Sequence, residues 1–164
     1  MKRIFAVILA VLMIGALLAA CGDSTVKATV AKKYDDGFAK AYADKATTND
    51  DGDTVYEFTE EKYEEYLHDH KNSVDSEIND EVVANHSKDF GQYVYINTEK
   101  NAVVIGINPG EYDESYAKAE APAYAETAFA YFQGLSTPVS TITVIYCNAN
   151  DQDDIYGSFE FTAA

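Results

Sequence analysis

The chain has 164 residues, with 12 basic and 28 acidic side chains and a formal net charge of −16 at pH 7. Apart from Lys2 and Arg3, every basic residue is a lysine, and these ten lysines against the 28 acids give the remainder a net charge of −18. Proteins that hold nucleic acid need a basic surface, and phosphate sites commonly use arginine, so this composition excludes nucleic acid as a partner.

The first twenty residues have the pattern of a secretory signal. Lys2 and Arg3 precede an uncharged, mostly apolar run from Ile4 to Ala20. A charged start, an apolar segment and small residues follow one another in the order that signal cleavage requires. The run ends in Leu18-Ala19-Ala20-Cys21, which resembles the lipobox of the bacterial lipoprotein class.

The resemblance implies that residues 1–20 are removed and that Cys21 carries lipid on the extracytoplasmic face of a cell membrane. Two or three acyl chains anchor a protein durably, because each buried methylene contributes about 0.8 kcal/mol. Two other interpretations stay open. The apolar run of 17 residues is barely long enough to remain uncut and span the bilayer, or the leader is an ordinary signal peptide with an unmodified cysteine.

The remaining length suits one domain with a sizeable core. We assign residues 21–32 to the lipidated cysteine and a tether, and residues 33–164 to a single domain. With Cys21 lipidated, Cys147 is the only other cysteine, so no internal disulfide can form. Because it lies within an apolar run, Cys147 is predicted to be a buried core residue and not a reactive thiol.

The N-terminal part of the domain is predicted to begin with a helix. Apolar residues recur at every fourth position from Val26 to Tyr42, a spacing that indicates a helix over residues 26–44. Turn formers and acids at residues 47–53 predict an exposed loop. The short β-branched and aromatic run at residues 54–58 predicts an edge strand.

A long helix is predicted to follow Thr59, whose hydroxyl can cap it ahead of two glutamates. Neighbouring acids along this helix repel one another, so its apolar stripe has to pack on other elements. The stripe consists of Tyr63, Leu67, Val74, Ile78 and Val82, with His70 or Lys71 filling the gap.

Two β-rich runs, residues 92–98 and 102–108, lie a hairpin's distance apart. Alternation along the first run predicts that Val94 and Ile96 face the core while Tyr93 and Tyr95 face the other way. A further helix is predicted from the capping residue Asp113 to Gly134, kinked or divided at Pro122. The predicted C-terminal elements are strands at residues 139–147 and 155–162, separated by a loop at residues 148–154.

These elements predict an α+β fold with a four or five stranded, mainly antiparallel sheet and helices packed on one face. If residues 54–58 pair with the other strands, the order of elements resembles a ferredoxin-like arrangement with an extra strand. Fold alone does not convey function, so the functional interpretation has to come from the residues.

The acidic loop is a candidate cation site, because calcium takes several oxygen ligands and Asn49, Asp51 and Asp53 flank a glycine. The EF-hand pattern fails here, since Thr47 and Phe58 stand where the first ligand and the bidentate glutamate belong. Residues 148–154 are similarly rich in oxygen ligands. A solvated loop is the alternative interpretation of both segments.

Catalytic signatures such as GxSxG or a glycine-rich phosphate loop do not occur in the sequence. Glu64, His68 and His70 on the long helix are a second candidate metal set. Glu64 and His68 lie one turn apart, but His70 points elsewhere, no cysteine or third histidine completes the set in sequence, and nothing in the sequence places His86 nearby. A helix surface that carries histidines is the simpler interpretation. We therefore predict a non-enzymatic protein without a cofactor, and a small hydrolase is the alternative.

Tyrosine is the last candidate, with 13 Tyr and no Trp in the chain. If helices cover the aliphatic side of the sheet, Tyr93 and Tyr95 lie on the open side, where stiff rings with polar tips suit protein or glycan recognition. Alternatively, the rings pair across strands and stabilise the sheet. The expectation is a monomeric, lipid-anchored binding or accessory module, with a calcium-responsive surface protein as the alternative.

Overall fold

The computed structural model describes residues 24–85 and 91–163, and this part of the chain has an α+β fold with two sheets. The predicted fold class is confirmed. The strands are β1 (Thr25–Val30), β2 (Lys45–Thr48), β3 (Thr54–Thr59), β4 (Gly91–Asn97), β5 (Ala102–Ile107), β6 (Thr141–Asn148) and β7 (Asp151–Thr162), and the helices are a short 3-10 turn (Phe38–Ala41), α1 (Glu60–Asn85) and α2 (Glu114–Gln133).

Sheet A consists of β1, β3 and β2 in that order, and both pairings are antiparallel. Along β1 the side chains of Ala28 and Val30 are buried while those between them are exposed. This alternation has the period of a strand with one face on a core. The predicted helix over residues 26–44 is therefore wrong. Burial along β1 alternates with a period of two residues because β1 pairs with β3 as a strand.

Two related predictions also fail in this region. Residues 25–30 form a strand, so the folded part of the chain begins before residue 33 and the segment 21–32 is not simply a tether. The strand at residues 54–59 pairs with β1 and β2 and not with the strands that follow it. The ferredoxin-like order is wrong because this strand belongs to a separate sheet.

Sheet B consists of β4, β5, β6 and β7 in that order. The outer pairs are antiparallel hairpins, and the central pair, β5 and β6, is parallel. A parallel pair needs a crossover connection, which α2 supplies. The predicted hairpin of β4 and β5 is confirmed, as is a mainly antiparallel sheet of four strands with helices on one face.

Helix α1 packs on both sheets. The side chain of Tyr66, in its N-terminal half, joins the core under sheet A with Tyr56 and Phe58. Farther along, Val74 and Ile78 join the core under sheet B. The predicted apolar stripe is confirmed, with a buried His70 in the gap. A single helix therefore connects two hydrophobic cores.

Helix α2 begins and ends where the sequence predicts. The carboxylate of Asp113 accepts hydrogen bonds from the backbone N–H groups of Ser115 and Tyr116, which satisfies two free donors of the first turn. The helix ends at Gln133, one residue before Gly134. Pro122 lies on an exposed position within it and does not divide it, so the prediction of two shorter helices is wrong.

The two C-terminal strands meet at a tighter turn than expected. Strand β6 ends at Asn148 and β7 begins at Asp151, so most of the predicted loop at residues 148–154 is strand. Side-chain bonds close this turn: Asn148 Oδ1 accepts from the Asn150 N–H, and Asp151 Oδ1 accepts from the Asp153 N–H.

Candidate binding face on sheet B

The two faces of sheet B differ in what covers them. On one face, the cross-strand neighbours Ile96, Val103 and Val144 belong to the core under the helices. Residues one position along each strand point to the opposite face. We call this opposite side the open face, and its rows are Tyr93–Gly106–Cys147–Ile155, Tyr95–Val104–Ile145–Ser158 and Asn97–Ala102–Thr143–Glu160.

Tyr93 lies flat across the middle of the open face. Its ring covers Gly106, where an added Cβ would lie 2.3 to 2.6 Å from three ring carbons. Its Oη lies 3.7 Å from Cys147 Sγ, and this thiol in turn points to the Ile105 carbonyl at 3.8 Å. The absence of a side chain at residue 106 is therefore what allows the ring to lie against the strand.

Burial and the bond to Cys147 raise the pKa of Tyr93 to about 12. The hydroxyl therefore keeps its proton at neutral pH and can donate it to the thiol sulfur. Cys147 itself is fully buried, which confirms the prediction of a buried cysteine. It lies under the ring on the open face and not in the core beneath the helices.

Tyr95 extends the aromatic surface. Its ring centroid is 6.0 Å from that of Tyr93, and its Oη donates to Gln152 Oε1 at 3.1 Å. Through these two hydroxyls, β4 at one edge of the sheet contacts the inner strand β6 and the opposite edge strand β7. Both tyrosines are half-buried, and Ile155 beside them is 53% exposed. The predicted orientation of the tyrosines is confirmed, and their role in binding stays a prediction.

The charge on sheet B is of one sign. Its four strands contain no lysine or arginine, and all four of their acids lie in β7: Asp151, Asp153, Asp154 and Glu160. Among the described residues, none of these four carboxylates forms an ion pair with a lysine. Sheet A differs, because Lys27 and Lys45 lie beside Glu57 on its outer face at 2.9 and 3.8 Å.

In the predicted cation loop between β2 and β3, polar side chains form hydrogen bonds with backbone N–H groups of the protein. Asn49 Oδ1 accepts from the N–H groups of Asp51 and Asp53, at 3.0 and 2.9 Å. The Asp53 carboxylate accepts from the Lys32 N–H at 3.1 Å. These bonds close the turn around Gly52, which has a φ of 89°. Calcium binding by Asn49, Asp51 and Asp53 stays a prediction.

A buried histidine network joins the loop after β1 to both helices. His70 is 2% exposed, and its Nε2 lies 3.0 Å from Asp36 Oδ2 while its Nδ1 lies 3.1 Å from Tyr66 Oη. The ring of Phe38 stacks on it at 4.7 Å, and Tyr131 of α2 meets its edge. Burial acts to raise the pKa of Asp36, but bonds from His70 and the Phe38 N–H outweigh it and lower that pKa.

The sequence pattern predicts His70 as one way to fill the apolar stripe but gives no sign of this network, because Asp36 lies 34 residues away along the chain. His68, in contrast, is exposed and bonds Asn72 one turn along. The expectation that both histidines decorate the helix surface holds for His68 alone. Across residues 24–85 and 91–163, no three His, Cys, Asp or Glu side chains are grouped so as to hold a metal ion.

An open groove of about 690 Å³ runs along the outer side of α1. Its described lining comes from this single helix and consists of Ser73, Ser76, Glu77, Asp80, Glu81 and Ala84. These side chains include no histidine that would activate a nucleophile and no cysteine that would act as one.

The lipobox and Cys21 lie outside the described residues, as does His86. No helix within residues 24–85 and 91–163 combines the length and the apolar composition that crossing a bilayer requires. No protein-family model, curated protein or solved structure matches the chain.

Proposed function

We propose that the chain is a lipid-anchored, extracytoplasmic protein that acts as a non-catalytic binding or accessory module, with the open face of sheet B as its binding surface. The observation that carries the binding part is the pair of half-buried tyrosines whose hydroxyls are both held by partners across the sheet. The sequence Leu18-Ala19-Ala20-Cys21 supports the anchor.

The fixed tyrosines favour binding because they are ordered before a partner arrives. Association normally requires side chains at an interface to lose rotamer freedom, which costs about 0.5 to 1.5 kcal/mol for each one. Tyr93 is held between Gly106 and Cys147, and Tyr95 is held by Gln152, so much of this cost does not arise on binding. Their ring faces offer a large contact area with few internal rotations.

The chain length after Cys21 suits an anchored module. Three residues separate Cys21 from Thr25, the first residue of β1, and they reach at most about 10 Å when extended. Lipid on Cys21 would therefore hold sheet A close to the bilayer. Sheet B packs on the far half of α1, a helix of 26 residues and about 39 Å, which leaves its open face available to partners.

Metabolic labelling with a palmitate analogue in the producing bacterium tests the anchor. We expect the full chain to take up the label and to lose it in the Cys21→Ala variant. Cys147→Ala is the matched control, because it removes the other cysteine and should keep the label. Mass spectrometry of the mature chain should find residue 21 at the N-terminus. Label that survives Cys21→Ala, or a leader that remains attached, would contradict the proposal.

A further inference from the structure

We propose that the open face of sheet B docks a basic, extended polypeptide segment of a partner protein. In this arrangement lysine or arginine side chains of the partner lie over the rings of Tyr93 and Tyr95 and beside the carboxylates of β7. The inference rests on the proposed function in one respect, since it takes the open face as the binding surface and adds the chemical class of the partner.

The negative charge on the strands of sheet B is uncompensated. Sheet B has four acids and no basic residue in its strands, and no lysine among the described residues pairs with those acids. On the outer face of sheet A, in contrast, Lys27 and Lys45 lie beside the acid Glu57. A cationic partner would neutralise the acids of sheet B, as the two lysines neutralise the acid on sheet A.

The rings on the open face are oriented so that a cation can reach them. A tyrosine that lies flat on a sheet turns one π face toward solvent, and cations are attracted to that face within about 6 Å of the ring centre. The Gly106 contact holds Tyr93 flat, and the two centroids are 6.0 Å apart. Two neighbouring cationic side chains of a partner can therefore occupy the two rings at once.

The acids of β7 are spread along the strand. They run from Asp151, which pairs with Asn148 at the turn, to Glu160, which lies in a row of the open face, and these nine positions span about 30 Å at the usual rise per residue. An extended basic polypeptide of about nine residues matches that span, whereas a small cation or a polyamine reaches only part of it. A second copy of this chain is a poor occupant, because its acidic surface would meet the acids of β7.

The experiment measures binding by the full chain purified in detergent micelles. The probe is a fluorescein-labelled peptide of nine alternating lysines and threonines, and the same peptide with glutamate for lysine is its control. Fluorescence anisotropy at low salt gives the dissociation constant. We expect the lysine peptide to bind and the glutamate peptide not to bind.

Two triple variants separate a site from diffuse attraction. The first carries Asp151→Asn, Asp153→Asn and Glu160→Gln on β7. The second carries Glu61→Gln, Glu64→Gln and Glu65→Gln, which lie at exposed positions on α1. Both variants change the net charge by the same amount. We expect the β7 variant to bind the peptide at least about tenfold more weakly and the α1 variant less than about threefold more weakly. Equal weakening by both would overturn the proposal.

A second pair of variants tests the rings. Tyr95→Leu should weaken peptide binding about fivefold or more, while Tyr116→Leu should leave it unchanged, because Tyr116 is a 63% exposed tyrosine on α2. Circular dichroism of each variant confirms that it is folded. Equal affinities for the two variants would overturn the proposal.

Other occupants give distinguishable results. Binding of a neutral hexasaccharide probe that depends on Tyr95, without binding of the lysine peptide, would overturn a basic partner and keep a binding module. A dimer in sedimentation that dissociates in Tyr95→Leu would place a second copy on the face and also overturn the inference. The acyl-labelling experiment reports on the anchor independently of all these results.

Discussion

Sheet A and sheet B share one helix, yet their outer faces are built differently. On sheet A, the acid Glu57 has Lys27 on one neighbouring strand and Lys45 on the other, so the face supplies its own counterions. On sheet B the outer face carries two fixed tyrosines, and the acids of β7 have no lysine partner among the described residues.

Exposed ion pairs contribute little to stability, so the pairs on sheet A mainly neutralise that face. The two sheets therefore differ in how far their negative charge is neutralised. Among the described residues, it is compensated at Glu57 on sheet A and left uncompensated along β7 of sheet B. Variants on the two sheets can therefore be compared as matched pairs.

The largest expected effect concerns the two cores. Phe58 under sheet A and Phe132 under sheet B are at most 1% exposed. Replacing either by alanine should lower the free energy of unfolding by about 3 to 5 kcal/mol through lost contacts and a cavity. Because α1 contributes to both cores, each variant should still unfold in one transition. Urea denaturation followed by far-UV circular dichroism and by tyrosine fluorescence measures both quantities.

Val83→Ala serves as the control. Val83 lies on α1 and is 47% exposed, so this substitution should change the free energy of unfolding by less than about 0.5 kcal/mol. An early separate transition in Phe58→Ala would mean that α1 does not couple the two sheets and that sheet A unfolds alone.

Two glycines that accommodate tyrosines give the next effect. A Cβ at Gly134 would lie 1.9 Å from Tyr66 Oη, and one at Gly106 would lie 2.3 Å from the Tyr93 ring. Tyr66 is 1% exposed and cannot move aside, so Gly134→Ala should cost about 2 to 3 kcal/mol. Tyr93 is only half-buried, so a methyl group at residue 106 that lifts its ring removes less packing, and Gly106→Ala should cost about 1 kcal/mol. Thermal denaturation of both variants gives the ranking.

Tyr66→Phe added to Gly134→Ala removes the clashing oxygen and should recover part of the lost stability. Gly106→Ala should also weaken binding of the basic peptide, because it displaces a ring from the open face. A reversed order of the two costs would contradict the assignment of Tyr66 as fully buried and Tyr93 as half-buried.

A smaller effect depends on pH. The folded state lowers the pKa of Asp36, so the carboxylate stabilises the protein above its ordinary pKa, and this contribution is lost as the pH falls through the lowered value. Asp36→Asn should cost about 1 kcal/mol at pH 7, a figure reduced for partial exposure. The difference from the native chain should shrink as the pH falls below the ordinary pKa of an aspartate and vanish once Asp36 is protonated in the folded state.

Denaturation at several pH values checks this, with Asp50→Asn in the exposed loop as the control. A difference that persists at acid pH would show that the amide disturbs packing, and that the charge of Asp36 is not what stabilises the His70 network.

The smallest effect is expected from Glu57. The hydrogen bond from Lys27, followed by the charges of Lys27 and Lys45, lowers its pKa against the effect of burial. Glu57→Gln leaves both lysines without their counterion, yet it should change the melting temperature less than any variant above. The change should shrink further in concentrated salt, because salt screens exposed charges. A large, salt-independent loss would contradict a merely neutralising role.

Local signals account for what the sequence predicted correctly. The stripe of α1, the cap at Asp113 and the alternation of Tyr93 with Val94 all lie within a few residues and specify one arrangement. Residues 26–44 failed because their four-residue spacing fits a helix, while the strand that pairs with β1 lies about thirty positions later. The contacts of His70 with Asp36 and of Tyr93 with Cys147 join residues 34 and 54 positions apart, which no local pattern reveals.

Amide chemical shifts of the full chain, recorded with and without the lysine peptide, locate the surface that the peptide binds. Because the uncompensated charge and the fixed rings both lie on sheet B, the shifts should change at Tyr95, Ile145, Gln152 and Ile155 and stay constant on the outer face of sheet A. Changes of equal size along the acidic side of α1, with none at the two tyrosines, would contradict a binding face on sheet B.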